Sequence, residues 1–282
     1  MKLADALGSL LLGLLAGCGS DADGSGGSGG STGQGGGGGG GGATGCAVEA
    51  APEVADVSGR FGLLLVGSQL VQAQGFANPF TNRIISVLLA DMTQTGDAVT
   101  LSAAYCDHYS EDPDGLVKAL IPVAYRDSLA PVTRAGTFAE GPSGRRLLID
   151  SLTEIAGADL ADPAEALPTD PTDARLVDQD MDSKPGMTIQ LTGFVDGEVY
   201  VVERKITALD GVAVSADRIE GLMSFSSEQS LLGSDPADLQ QQVAASQRLP
   251  DPETCNSYFR MVRVADTMDC ATLRAQGAAL FE

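Results

Sequence analysis

The chain has 282 residues, of which 38 are acidic and 17 basic, giving a net charge of −21. A surface this acidic repels phosphate backbones, which argues against nucleic-acid binding, and it favours solubility and weak capture of divalent cations. Hydrophobic residues make up 43 % of the chain, enough for a sizeable core, so wholesale disorder is excluded.

From the N-terminus, Lys2 supplies a short positive region and Asp5 weakens it. The apolar stretch from Ala6 to Leu15 is too short to span a membrane, which takes about 20 residues, but it suits the apolar region of a signal peptide. It ends in Leu15-Ala16-Gly17-Cys18, which resembles the lipobox of bacterial lipoproteins at every position. The small residues before Cys18 let an extended backbone enter a peptidase cleft, and a free thiol is the nucleophile that a diacylglycerol donor alkylates. The resemblance implies that residues 1–17 are a leader, that Cys18 is lipidated, and that the chain is anchored in the membrane through that lipid. Gly19 stands where an aspartate would resemble an inner-membrane retention signal, so the resemblance implies the outer membrane, at its periplasmic face or at the cell surface.

Residues 18–45 then read as a Gly-rich tether with an unbroken glycine run from Gly35 to Gly42. Ordering such a run costs too much entropy, and a coil of this length reaches about 30 Å. Gly26-Gly27-Ser28-Gly29-Gly30 matches a nucleophile elbow, but no strand precedes it and no helix follows.

A globular domain is expected over residues 46–282. Val57 to Val71 is a β-rich run, and Asn82 to Met92 forms a hairpin with Ala98 to Tyr105 through the turn residues Gln94 to Asp97. Leu116 to Tyr125 is a further strand, and Pro122 places it at an edge or a bulge. Met187 to Phe194, Glu198 to Leu209 and Val212 to Phe225 are separated by Asp196-Gly197 and Asp210-Gly211, which predicts a meander with two tight turns. A last strand is expected over Ser257 to Val264. Two short late helices follow from Ser234-Asp235-Pro236 running to about Ser246, and from Asp269 to Leu280. The expected fold is all-β, an antiparallel meander forming a closed or partly closed β-barrel, with a two-sheet sandwich as the alternative.

With Cys18 lipidated, Cys46, Cys106, Cys255 and Cys270 remain, and in an exported chain they imply two disulfides with three possible connectivities. Cys255–Cys270 is favoured as a short-loop bridge, which leaves Cys46–Cys106. No C-x-x-C occurs, and a single histidine leaves too few ligands for zinc.

The segment from Glu154 to Asp182 holds nine acids and one base, Arg175, and reads as a long surface excursion. At its end, Asp178, Asp180 and Asp182 alternate as in the opening of calcium loops of the EF-hand type, where alternating carboxylates converge on one ion. Ser183 stands where that loop has glycine and Ile189 where it has glutamate, so Ca²⁺ is the candidate ion and the resemblance ends there. His108 is the only histidine, and a Ser-His-Asp mechanism would need it beside a serine such as Ser68 or Ser102. Paired carboxylates for glycoside hydrolysis are abundant, but tryptophan is absent and aromatics are 5 %, which removes the usual stacking platforms for sugars.

The folded part also resembles uncharacterised lipoproteins of high-GC Gram-negative bacteria, through the Asp178-to-Gly186 stretch and Glu198-Val199-Tyr200-Val201-Val202-Glu203-Arg204. The expected function is a lipid-anchored binding or structural module for an apolar ligand or an envelope protein. The alternative is an envelope-associated hydrolase using carboxylates or His108.

Overall fold

A computed structural model describes residue 46 and residues 48–282 apart from 52, 74–76, 114 and 142–143. The expected leader, Cys18 and the expected tether lie outside the described residues. Those residues belong to one compact unit, Ala43–Glu282.

The first strands are long and continuous: β1 (Gly59–Gln72), β2 (Phe80–Thr95) and β3 (Ala98–Glu111). The β2–β3 turn is a tight Gly96-Asp97 pair in which Gly96 takes φ 62°, so the expected hairpin forms where its turn residues place it. β4 (Val117–Leu120) is short and lies at the end of the strand order, as Pro122 suggested. The expected extension to Tyr125 does not form, because Pro122 instead precedes a six-residue helix, α1 (Val123–Ser128). Proline lacks only an N–H that a helix start leaves unpaired anyway.

β5 (Val132–Gly141) and β6 (Gly144–Ala156) form a hairpin that the sequence did not announce. Its inward positions on β5 are Arg134, Gly136 and Phe138, a mixture that hides the apolar alternation of a strand. β7 (Met187–Gly193) pairs with β8 (Gly197–Ser215), and β8 pairs along nearly its whole length with β9 (Arg218–Asp235). The chain ends with α2 (Leu239–Ala244), β10 (Gln247–Pro250), β11 (Tyr258–Arg263), α3 (Cys270–Gln276) and a 3₁₀ turn over Gly277–Phe281. Both expected late helices are present and shorter than read. In α3 the Asp269 carboxylate accepts the Thr272 N–H at 2.8 Å.

One predicted turn is corrected. Asp210-Gly211 is not a hairpin; β8 runs straight through it, and the chain reverses at Ala216-Asp217. The glycine serves packing. Gly211 lies opposite Gly221, and a Cβ at Gly211 would come within 2.6 Å of the Phe259 ring, which is fully buried there. Asp210 faces outward and is bound by the Arg146 guanidinium.

Among the described residues, eight strands close a hydrogen-bonded antiparallel ring in the order β8-β6-β5-β3-β2-β1-β11-β9, and β9 returns to β8. The fold is therefore the expected all-β antiparallel barrel, although uneven. At one end its lumen is filled by Phe61, Leu88, Leu101, Phe138, Leu147 and Phe259 with their neighbours. At the other end the partners change. Beyond Ala103, β3 keeps only β2, while the start of β8 leaves β6 for β7 and the end of β1 leaves β11 for β10. The barrel thus flares into two facing sheet edges.

Two outer faces are covered. α3 and the 3₁₀ turn place Leu273 and Phe281 on Leu64, Val66, Ile85 and Leu89. The excursion over residues 157–186 lays Leu167 on Tyr200, Val202 and Leu232 of the β8–β9 hairpin.

The disulfides are Cys46–Cys255 and Cys106–Cys270. The expected pairs Cys255–Cys270 and Cys46–Cys106 are both wrong. Cys255 and Cys270 flank the six-residue strand β11, whose rise of about 20 Å far exceeds the separation a disulfide spans. Cys106–Cys270 instead ties α3 to β3, and Cys46–Cys255 ties the start of the domain to the chain ahead of β11.

Candidate functional site: a cavity above a buried polar belt

Following the inward side of β8 from its C-terminal end gives the site in layers. Ala213, Gly211 and Leu209 belong to the packed lumen; Thr207, Lys205 and Glu203 come next; Val201 and Val199 follow. Charged residues sit at the inner level where the barrel begins to flare.

Two irregularities bring the other members of this belt inward. In β3 the register with β2 shifts at Val87/Leu88, so that Cys106 packs outward beneath α3 while Tyr105 and His108 both serve the interior. In β6 the register with β8 shifts at Ile149/Leu152 and turns Glu154 toward Lys205. A bulge leaves ladder groups unpaired and re-aims side chains. Here the carbonyl of Asp150, at the β6 irregularity, accepts two N–H groups of the buried Arg134, at 3.0 and 2.5 Å.

The belt is closely bonded. Tyr105 donates to Glu154 Oε1 at 2.5 Å, and Lys205 Nζ lies 3.1 Å from Glu154 Oε2. Ser227 donates to Glu203 Oε1 at 2.5 Å. Burial pushes the Tyr105 hydroxyl up to about 12 and raises Tyr125 as well, so both stay neutral donors. For Lys205, burial pulls downward, but the Glu154 and Glu203 carboxylates counter it and hold the ammonium charged.

His108 is 6 % exposed. Its Nδ1 shares a 2.8 Å hydrogen bond with Ser86 Oγ, the directly opposite residue on β2, and the Tyr105 and Tyr125 rings flank it at 6.0 and 6.3 Å. Burial, with Lys205 nearby, holds its pKa well below the usual histidine value, so the ring is neutral. Neither serine anticipated as its partner is beside it. Ser68 donates to Asp251 at 2.5 Å, and Ser102 is exposed near Thr133. In a Ser-His-Asp triad the ring contacts a carboxylate through Nδ1 and the nucleophile through the other nitrogen. Here Ser86 holds Nδ1, and among the described residues no carboxylate bonds to the ring.

Above the belt lies a partly enclosed cavity of about 170 Å³. One wall is Val71, Phe80 and Ile84; the other is Ile189, Leu191 and Val199, with Val243 of α2 alongside. His108, Glu203 and Arg248 present polar groups to it. Concave, mostly apolar and furnished with a few polar groups, the cavity has the make-up of a small-molecule site rather than of a proton-transfer centre.

The aspartates anticipated as cation ligands do converge. Asp178, Asp180 and Asp182 each bring one oxygen within 4.8 Å of the other two. Ser183 takes φ 70°, the conformation that glycine favours, and Ile189 lies in the cavity wall.

Sequence reading missed Tyr105, Glu154, Lys205, Glu203 and Arg248. The β8 members had a local signal: Glu203, Lys205 and Thr207 share the strand face of Val199, Val201 and Leu209, charges on an otherwise core-facing row. No family model, curated protein or solved structure matches the chain.

Proposed function

We propose that the protein is a lipid-anchored binding module that takes an apolar ligand into the flared end of its barrel. The cavity carries this reading: apolar walls from two facing sheets, closed below by a bonded polar belt and not by packed side chains. His108, Glu203 and Arg248 supply the groups that orient a polar end of the ligand. The anchor rests on the lipobox ending in Cys18, which puts the module within a tether's reach of the outer membrane. A hydrolase draws support from the Ser86–His108 contact, but that contact lacks the carboxylate a triad needs.

The test is a series of neutral alkyl probes of increasing length, measured by displacement of a fluorescent apolar dye from the full chain. Each added methylene contributes about 0.8 kcal/mol, so affinity rises about fourfold per carbon until the cavity is filled. Ala119→Trp, which fills the cavity from β4, weakens every probe about tenfold or more. A flat response along the series, or full binding by the tryptophan variant, overturns the reading. For the anchor, Cys18→Ser moves the protein from the membrane fraction to the soluble one.

A further inference from the structure

We propose that Asp178, Asp180 and Asp182 hold one Ca²⁺ ion, which fixes the end of the 157–186 excursion where two of these carboxylates bond Thr188 of β7. This goes beyond the ligand-binding reading and does not depend on it.

The buried member carries the inference. Asp180 is 5 % exposed, and its Oδ1 is enclosed with no hydrogen-bond partner, while Oδ2 accepts the Thr188 N–H at 2.9 Å. A carboxylate oxygen removed from water and left unpaired is costly unless something positive meets it. No protein cation does. Among the described residues no ion pair involves Asp178, Asp180 or Asp182, and the nearby Lys184 Nζ lies over the Tyr200 ring, 5.1 Å from its centre. Three carboxylates therefore share one small volume with no countercharge from the chain.

The donors are all oxygens, which selects a hard cation over zinc or copper. Their mutual distances, all within 4.8 Å, suit Ca²⁺, whose bonds of 2.3–2.6 Å let opposite ligands stand about 5 Å apart. Mg²⁺ bonds are shorter and require near-octahedral placement that two exposed carboxylates do not enforce. Asp178 and Asp182 are exposed, so water completes the coordination shell, and binding falls in the weak range of extracellular modules.

The location gives the ion a mechanical role. Asp180 accepts the Thr188 N–H and Asp182 accepts the Thr188 hydroxyl at 2.6 Å, so the aspartates are already tied to β7. Thr188 stands between Met187 and Ile189, which both line the cavity. An ion at the three carboxylates holds in place the two that bond Thr188, and through them steadies the strand that forms one cavity wall.

The experiment titrates chelator-treated full-length protein with Ca²⁺ by calorimetry and follows melting temperature in parallel, with Mg²⁺ at matched ionic strength as control. The expected result is one site per chain, with a Kd of about 10⁻⁴–10⁻³ M and a melting rise of several degrees at saturation. Asp180→Asn, which keeps an acceptor for Thr188, abolishes both, whereas Asp266→Asn on an exposed turn changes neither. If Asp180→Asn fails to fold, Asp178→Asn takes its place, since that side chain is exposed. No response at 10 mM Ca²⁺ overturns the proposal. So does an equal response to Mg²⁺, or wild-type binding by the aspartate-to-asparagine variant.

Discussion

The two ends of this barrel are built from the same strands and solve the interior differently. At the closed end, inward residues of all eight ring strands meet as Phe61, Leu88, Leu101, Phe138, Leu147, Leu209, Met223 and Phe259, and the glycines at 211 and 221 make room for an aromatic ring. At the flared end, β3 loses β5, β8 and β1 exchange partners, the walls separate, and the space between them is a cavity over a belt of bonded charges. Stability is concentrated at the first end and chemical opportunity at the second. Strand pairing decides which is which, because a ring filled by side chains has no volume left for a guest.

That contrast can be broken most strongly by deleting Phe259, which is fully buried at the closed end. Phe259→Ala is expected to cost about 3–5 kcal/mol in denaturant unfolding, whereas Val199→Ala, on a wall that already borders open space, costs about 1 kcal/mol. Equal losses would mean that the flared end is packed as tightly as the closed one.

Next in size is the belt. Lys205→Met removes the ammonium from the mostly buried Glu154 and is expected to destabilise by about 3 kcal/mol. Glu154→Gln in the same chain recovers a good part of that, and the cycle of single and double variants isolates the pair. Additive losses would show that the two charges do not depend on each other.

The disulfides bind outer layers rather than the lumen. Replacing Cys106 and Cys270 together by serine is expected to cost about 2–4 kcal/mol and to expose α3 to proteolysis. Probe binding in the cavity should persist, because α3 covers the outer face of β1 to β3 and not the cavity. Its loss would show that the two regions are coupled.

The smallest expected effect is a pH dependence from His108. Its folded pKa lies well below the unfolded value near 6.5, so the unfolded chain takes up a proton first as pH falls. Stability from this group is complete above about pH 7.5 and declines below about 6.5, by about 1 kcal/mol at pH 5.5. His108→Asn, which can keep a hydrogen bond to Ser86, removes that decline. An unchanged pH profile in the variant would place the titration elsewhere.

Much of the barrel was legible from local pattern. The β2–β3 hairpin, the chain reversal between β7 and β8 (through a longer loop than the expected Asp196-Gly197 pair) and the alternation of Phe259 and Met261 in β11 follow from side-chain period and turn chemistry, which act over a few residues. The β5–β6 hairpin was hidden because Arg134 and Gly136 occupy its inner face, and Arg134 is satisfied by the Asp150 carbonyl and by the carbonyl and hydroxyl of Thr207, brought to it by other strands. At the site, the alternating aspartates were visible as a row. The burial of Asp180 was not, because it depends on the packing of the excursion against β7.

By itself, the sequence determined an antiparallel all-β domain with an acidic excursion and four cysteines beyond residue 45, since composition, alternation and turn residues are local quantities. Tertiary structure alone decided which cysteines pair, that Gly211 lies within a strand, and that two bulges at one level turn Tyr105, His108 and Glu154 into a single belt. Each of those outcomes depends on strand register, and register is set by partners distant in the chain. A shift of one residue exchanges the inner and outer faces of a strand, so no local reading could have located the cavity.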